Sequence, residues 1–157
     1  MIRSILIGLT VAVSLGLSAC QKQTTGPEPI KYGRDMCEIC RMIISDPMYA
    51  TEVRGGPKRK LYKFDDIGDA IHWLETRSWK DEPETEIWVM NSETAKDWLD
   101  AKKSYYVAGA LTPMDYGIAA IKDNRDGAFG FAKMKKLILA QGLSARCEIP
   151  LEDIEEE

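Results

Sequence analysis

The chain has 157 residues, a mass of 17.7 kDa and a formal net charge of −4, with 45% hydrophobic and 29% charged residues. This is the size and balance of one ordinary globular domain. It excludes a wholly disordered chain, a collagen-like repeat and a multi-pass membrane protein. Four cysteines are too few for a dense disulfide scaffold, and a single His removes any catalytic scheme that needs two imidazoles.

Residues 1–19 read as a lipoprotein signal peptide. Arg3 supplies the positive start, and Ile5 to Leu17 is an apolar run shorter than the about 20 residues that span a bilayer. The run ends in Leu17-Ser18-Ala19-Cys20, which resembles a bacterial lipobox: the chain is cut before the Cys and its thiol is lipidated. An ordinary cleaved signal with Ala19 near the cut is the alternative. Residues 20–31, rich in Gln, Thr, Gly and Pro, read as a flexible lipidated tether. The expected location is therefore extracytoplasmic, on the membrane surface. The acidic body gives no electrostatic reason to bind nucleic acid.

Residues 32–151 form the single expected domain, followed by an acidic tail at 152–157. Met42 to Ile44 and Ala50 to Val53 suit short strands, broken by Asp46-Pro47. Gly55-Gly56-Pro57 signals a turn, and Lys60 to Phe64 alternates as a hairpin partner. Asp65 or Asp66 caps a helix whose Ile67, Ala70, Ile71 and Leu74 recur at helical spacing. Glu86 to Met90, Tyr105 to Ala108 and Ile118 to Ile121 read as strands. Phe131, Met134, Ile138 and Leu139 outline a last helix, with Gly142 at its C-cap. Strands outnumber helices and the turns are short, so the fold class is α+β, with a small antiparallel sheet and two main helices.

The chemistry lies in Met36-Cys37-Glu38-Ile39-Cys40-Arg41-Met42. Cys-x-x-Cys spacing lets one turn aim two thiolates at one ion, and Met42 adds a thioether. Thiolate with thioether is a soft set that selects Cu(I) over hard cations. Three other readings stay open on the residues alone. A structural disulfide is common outside the cytoplasm. A zinc knuckle would need a second half, and only the unpaired Cys147 and His72 remain for it. A thioredoxin-type redox pair normally opens a helix after a strand, whereas this pair precedes strand-like residues. Met114 lies in the Pro/Gly loop Gly109 to Gly117, where a Met either covers the core or presents its sulfur to a site. Met134 and Met90 read as core.

Taken in order, the lipobox at Cys20, Cys-x-x-Cys-x-Met at Cys37 to Met42, Tyr-Tyr-Val-x-Gly at Tyr105 to Gly109 and Pro113-Met114 resemble the NosL family, membrane-anchored copper-delivery lipoproteins for nitrous oxide reductase. The family usually has Gly where this chain has Arg41, commonly Gly where it has Thr112, and often a His near the final helix, where Gln141-Gly142 stands. The resemblance implies ββα units related to the organomercurial lyase fold. It also implies a non-enzymatic Cu(I) carrier with ligands among Cys37, Cys40, Met42 and Met114. The implied partner is a copper-accepting enzyme or its assembly machinery. The competing functions are a thiol–disulfide oxidoreductase using Cys37 and Cys40, or a structural lipoprotein domain stapled by a Cys37–Cys40 disulfide.

The remaining polar residues have blander expectations. Asp65, Asp66 and Asp69 suit helix capping and dipole complementarity better than a metal site. His72 sits off the apolar stripe as a boundary residue. Cys147 reads as a buried thiol by default, with a copper ligand or an intermolecular disulfide as alternatives, and concerns the site only if it lies near Cys37.

Overall fold

Alternation in Thr51–Gly55 (β1) and Lys60–Phe64 (β2) pairs them as an antiparallel hairpin, with Val53 opposite Tyr62 and Thr51 opposite Phe64. The computed structural model describes residues 24–147. The expected signal peptide, the lipidation site Cys20 and the acidic tail lie outside the described residues. Helix α1 (Ile67–Glu75) follows β2 directly, completing the expected ββα unit. Glu86–Met90 (β3) pairs with the other edge of β1, and Trp98–Asp100 (β4) pairs with β3, giving the order β2-β1-β3-β4.

A second sheet was not expected. Tyr105–Ala108 (β5) sits between Ile118–Ile121 (β6) and Phe129–Gly130 (β7), all antiparallel. The strands β4 and β7 are too short to show a period, so the sequence reading merged two sheets into one. The Ser92 N–H donates to the Ala120 carbonyl at 2.9 Å, joining the end of β3 to β6. Helix α2 (Phe131–Gln141) buries Met134 and Ile138 and packs against α1 and the second sheet. It ends where Gly142 takes φ +79, the left-handed conformation that favours glycine.

The first sheet is covered on both faces. Val53, Tyr62, Phe64, Ile87 and Val89 face α1, where the Trp73 ring lies 4.3 Å from Tyr62 and 5.4 Å from Phe64, centroid to centroid. The alternate residues Glu52, Arg54 and Glu86 face the other way. They are covered by residues that sequence analysis assigned to the tether. Arg54 Nε donates to the Gly26 carbonyl at 2.9 Å, and its Nη2 pairs with Glu28 at 2.7 Å. The Gly26 N–H donates to Glu86 at 2.7 Å, the Glu28 N–H donates to Glu52 at 2.9 Å, and Ile30 joins the core. Gly26 to Ile30, expected in the tether, thus belong to the folded body. A polar strap on a polar sheet face leaves no apolar period to read.

Gly68, in the first turn of α1, makes room for Tyr116. A Cβ there would run into the Tyr116 ring. Gly68→Ala is expected to cost about 1–3 kcal/mol through overpacking, measured by urea denaturation. An unchanged midpoint would mean that Tyr116 is not seated on the helix.

Glu52 is fully buried, and its Oε1 has no hydrogen-bond partner. Burial pushes its carboxyl up to about 7 from an ordinary 4.5. A raised acid binds its proton more tightly in the folded chain, so its contribution is complete below about pH 4.5 and is lost as pH rises through about 7. Between pH 5 and 8, Glu52 is expected to remove about 2–3 kcal/mol of stability. In Glu52→Gln that part of the pH slope disappears. A variant with the parent slope in denaturant titrations at several pH values would rule this out.

Candidate metal centre

The Cys-x-x-Cys segment is the tip of a narrow hairpin. The Ile44 N–H donates to the Asp35 carbonyl and the Cys37 N–H to the Met42 carbonyl, each at 2.9 Å, with Met36 opposite Ile43. The Arg41 N–H returns to the Cys37 carbonyl at 3.2 Å and closes the turn. The expected Met42–Ile44 strand is thus reduced to a single bridge. The hairpin is fastened to the edge of β2: the Glu38 N–H donates to the Lys63 carbonyl at 2.8 Å, and Lys63 pairs with Asp35 at 2.6 Å. Both thiols are thereby brought to the junction between β2 and α1.

That junction carries the three aspartates, all buried. Asp66 is the helix cap, accepting from the Gly68 N–H at 3.0 Å, as expected. The expectation fails for the other two, whose carboxylates turn to sulfur. The Cys37 thiol donates to Asp69 Oδ2 at 3.3 Å, and the Cys40 thiol lies 3.7 and 3.9 Å from the Asp65 oxygens. One ligand atom each from Cys37, Cys40, Asp65 and Asp69 falls within 4.8 Å of the others, the arrangement that a metal ion requires. Three acidic residues in a five-residue stretch, where one cap suffices, was the available signal. Asp65 and Asp69 were missed because acidic residues at a helix start have a sufficient local explanation.

No Lys or Arg pairs with Asp65, Asp66 or Asp69 among the described residues. The electrostatics follow. A hydrogen bond with Cys40, then burial and the charges of Asp65 and Asp69, push the Cys37 thiol far up. Burial and then Asp69 push Cys147 up. Burial raises Asp65, with Asp69 adding to it, and raises Asp66 to about 6. Cys37 and Cys147 are therefore held as thiols, each donating to Asp69.

The other expected residues divide. Met114 is 1% exposed, and its N–H donates to Asp66 Oδ2 at 3.3 Å, which fastens its loop to the same helix end. Met42 is 41% exposed and is held opposite the fully buried Cys37. Cys37 is buried, and Cys40 is partly exposed. Cys37, Cys40 and Cys147 are all free thiols. Cys147 lies 3.1 and 3.3 Å from the two oxygens of Asp69, so it does adjoin Cys37. His72 is a boundary residue as expected, its ring 5.7 Å from that of Tyr116.

No family model and no curated protein matches the chain. Among solved structures, that of the copper chaperone NosL from Shewanella denitrificans matches with a TM-score of 0.55 and 13% identity, over 70% of this chain and 96% of that one. The two chains share a fold. At that identity the likeness establishes the α+β architecture around the site, and the ligand chemistry rests on the residues themselves.

Arg41 has φ +61, in the left-handed region. A side chain there is strained by about 1–2 kcal/mol, which accounts for the glycine usual at this position in the family that the sequence resembles. Arg41→Gly is expected to raise the unfolding midpoint, by about 0.5–1 kcal/mol after glycine's greater chain entropy is counted. A lower midpoint would show that the Arg41 side chain contributes more than its backbone costs.

Proposed function

We propose that this protein is an extracytoplasmic Cu(I) carrier, anchored through lipid on Cys20, that passes copper by ligand exchange to a cuproenzyme or its assembly machinery. Nitrous oxide reductase is the acceptor implied by the sequence resemblance. The observation that carries the reading is the convergence of Cys37 and Cys40 with two buried carboxylates that have no cationic partner among the described residues. An ion entering there replaces the thiol protons and is held by the two sulfurs. The shared fold with a copper chaperone supports the same conclusion.

The residues have distinct parts. Cys37 and Cys40 are the thiolate ligands, and Met114, whose backbone N–H is tied to Asp66, is the thioether ligand that the resemblance implies. Cys37 and Met114 are buried and keep the ion from water. Cys40, partly exposed, is where an incoming ligand enters, and Met42 offers an exposed thioether opposite Cys37. Soft sulfur donors favour Cu(I), while Asp65 and Asp69 take up the thiol hydrogen bonds when it leaves. The oxidoreductase alternative wants the pair at the start of a helix after a strand, whereas here it sits at the tip of a narrow hairpin.

Anaerobic titration of the reduced protein with Cu(I) against a chromophoric chelator, with Zn(II) alongside, tests the reading. One Cu(I) per chain is expected. Cys37→Ser and Cys40→Ser should each weaken binding by more than the roughly 10–100-fold cost of losing a supporting residue. Met134→Leu, in the core of α2, should leave it unchanged. Equal affinity across all four proteins, or capture of Zn(II) alone, would overturn the assignment.

A further inference from the structure

Cys147 has no part in the reading above, which draws both thiols from one hairpin. It sits in a short 3-10 turn, Ala145–Cys147, after α2. Its sulfur lies 3.3 Å from Asp69 Oδ2, and the Cys37 sulfur lies 3.3 Å from the same oxygen. The two sulfurs are therefore no farther apart than twice that distance. Cys147 is partly buried against the core rather than facing solvent.

We propose that Cys147 is a third thiolate ligand of the bound ion, carried on a C-terminal turn whose detachment lowers the thiolate set to the Cys37–Cys40 pair. The proposal rests on the Cu(I) carrier reading and extends its ligand set. Cu(I) is satisfied by two or three soft donors, so adding or removing one thiolate changes affinity without dismantling the site. As the copper–sulfur bond forms, the Cys147 proton passes to water and no electron is transferred.

The attachment of the turn fits this role. The Ser144 N–H donates to the Tyr116 hydroxyl at 3.0 Å. Arg146 donates to the Pro113 carbonyl at 3.0 Å and pairs with Asp115 at 2.8 Å. These partners all belong to the loop around Met114. The Arg146–Asp115 pair is more than half exposed on both sides, so it contributes little to holding the turn. The weakly fastened turn thus rests on the firmly held Met114 loop. A partner that engages the turn acts on Cys147, while the hairpin and the loop keep their sulfurs in place.

Anaerobic alkylation of the full chain with a maleimide, before and after one equivalent of Cu(I), followed by peptide mass mapping, tests the proposal without a variant. Cys40 and Cys147, the partly exposed thiols, are both expected to be protected at least tenfold by the ion. In Cys147→Ser, Cu(I) capture should persist with at least tenfold weaker affinity, and X-ray absorption should count one sulfur fewer around copper. Protection of Cys40 with Cys147 labelled at its metal-free rate would overturn the third ligand and leave the carrier standing. Protection of neither, with no competition against the chelator, would overturn both.

Discussion

Three carboxylates are buried at one end of a nine-residue helix with no basic side chain to neutralise them among the described residues. Taking unpaired charge out of water is expensive. A folded chain tolerates it only with compensation, and the structure shows what compensation is present. Asp66 uses the helix N-terminus, where the free N–H groups and the macrodipole favour negative charge. Asp69 accepts thiol hydrogen bonds from two sides, and the Asp65 oxygens lie beside the Cys40 thiol. Sulfur is a weak donor, so this arrangement satisfies the carboxylates poorly without a cation. The Cys-x-x-Cys hairpin, the Met114 loop and the C-terminal turn all converge on this one electrostatic demand.

The rest of the fold serves to hold those pieces still. The first sheet fixes the β2–α1 junction, and the hairpin is stitched to its edge strand. The second sheet suspends the Met114 loop between β5 and β6, and Gly68 lets Tyr116 lock that loop onto α1. Helix α2 then turns at Gly142 and returns the chain across the loop. On the remote face, the strap from Gly26 to Ile30 closes the sheet with charged side chains rather than apolar ones. The interior of this small domain is therefore polar in two places, one facing the thiols and one beneath the strap.

Much of this was legible in the sequence because it is periodic or locally signalled. Lys60–Phe64, Glu86–Met90, Tyr105–Ala108 and Ile118–Ile121 were read at their observed bounds, and α1 and α2 followed from apolar spacing with Asp66 and Gly142 as their ends. The strands β4 and β7 were not legible, because two or three residues carry no pattern. Nor was the strap, since nothing in the sequence marks Glu52 and Arg54 for burial under a segment some 25 residues earlier. At the site, the Cys pair declared itself by spacing. Asp65, Asp69 and Cys147 did not, because their relation to the pair is made by tertiary folding alone.

That dependence on tertiary structure governs when the site can exist. Cys37 meets Asp69 across 32 residues, Met114 meets Asp66 across 48, and Cys147 meets Asp69 across 78. Each contact closes a long stretch of chain, and such closures form late because their entropy must be met before they reward it. A nascent or partly folded chain presents the Cys37–Cys40 hairpin without its carboxylates, whereas the completed chain brings them together. Assembly of this Cys–Asp cluster is thus a readout of folding, since it gathers segments from nearly the full length of the described domain.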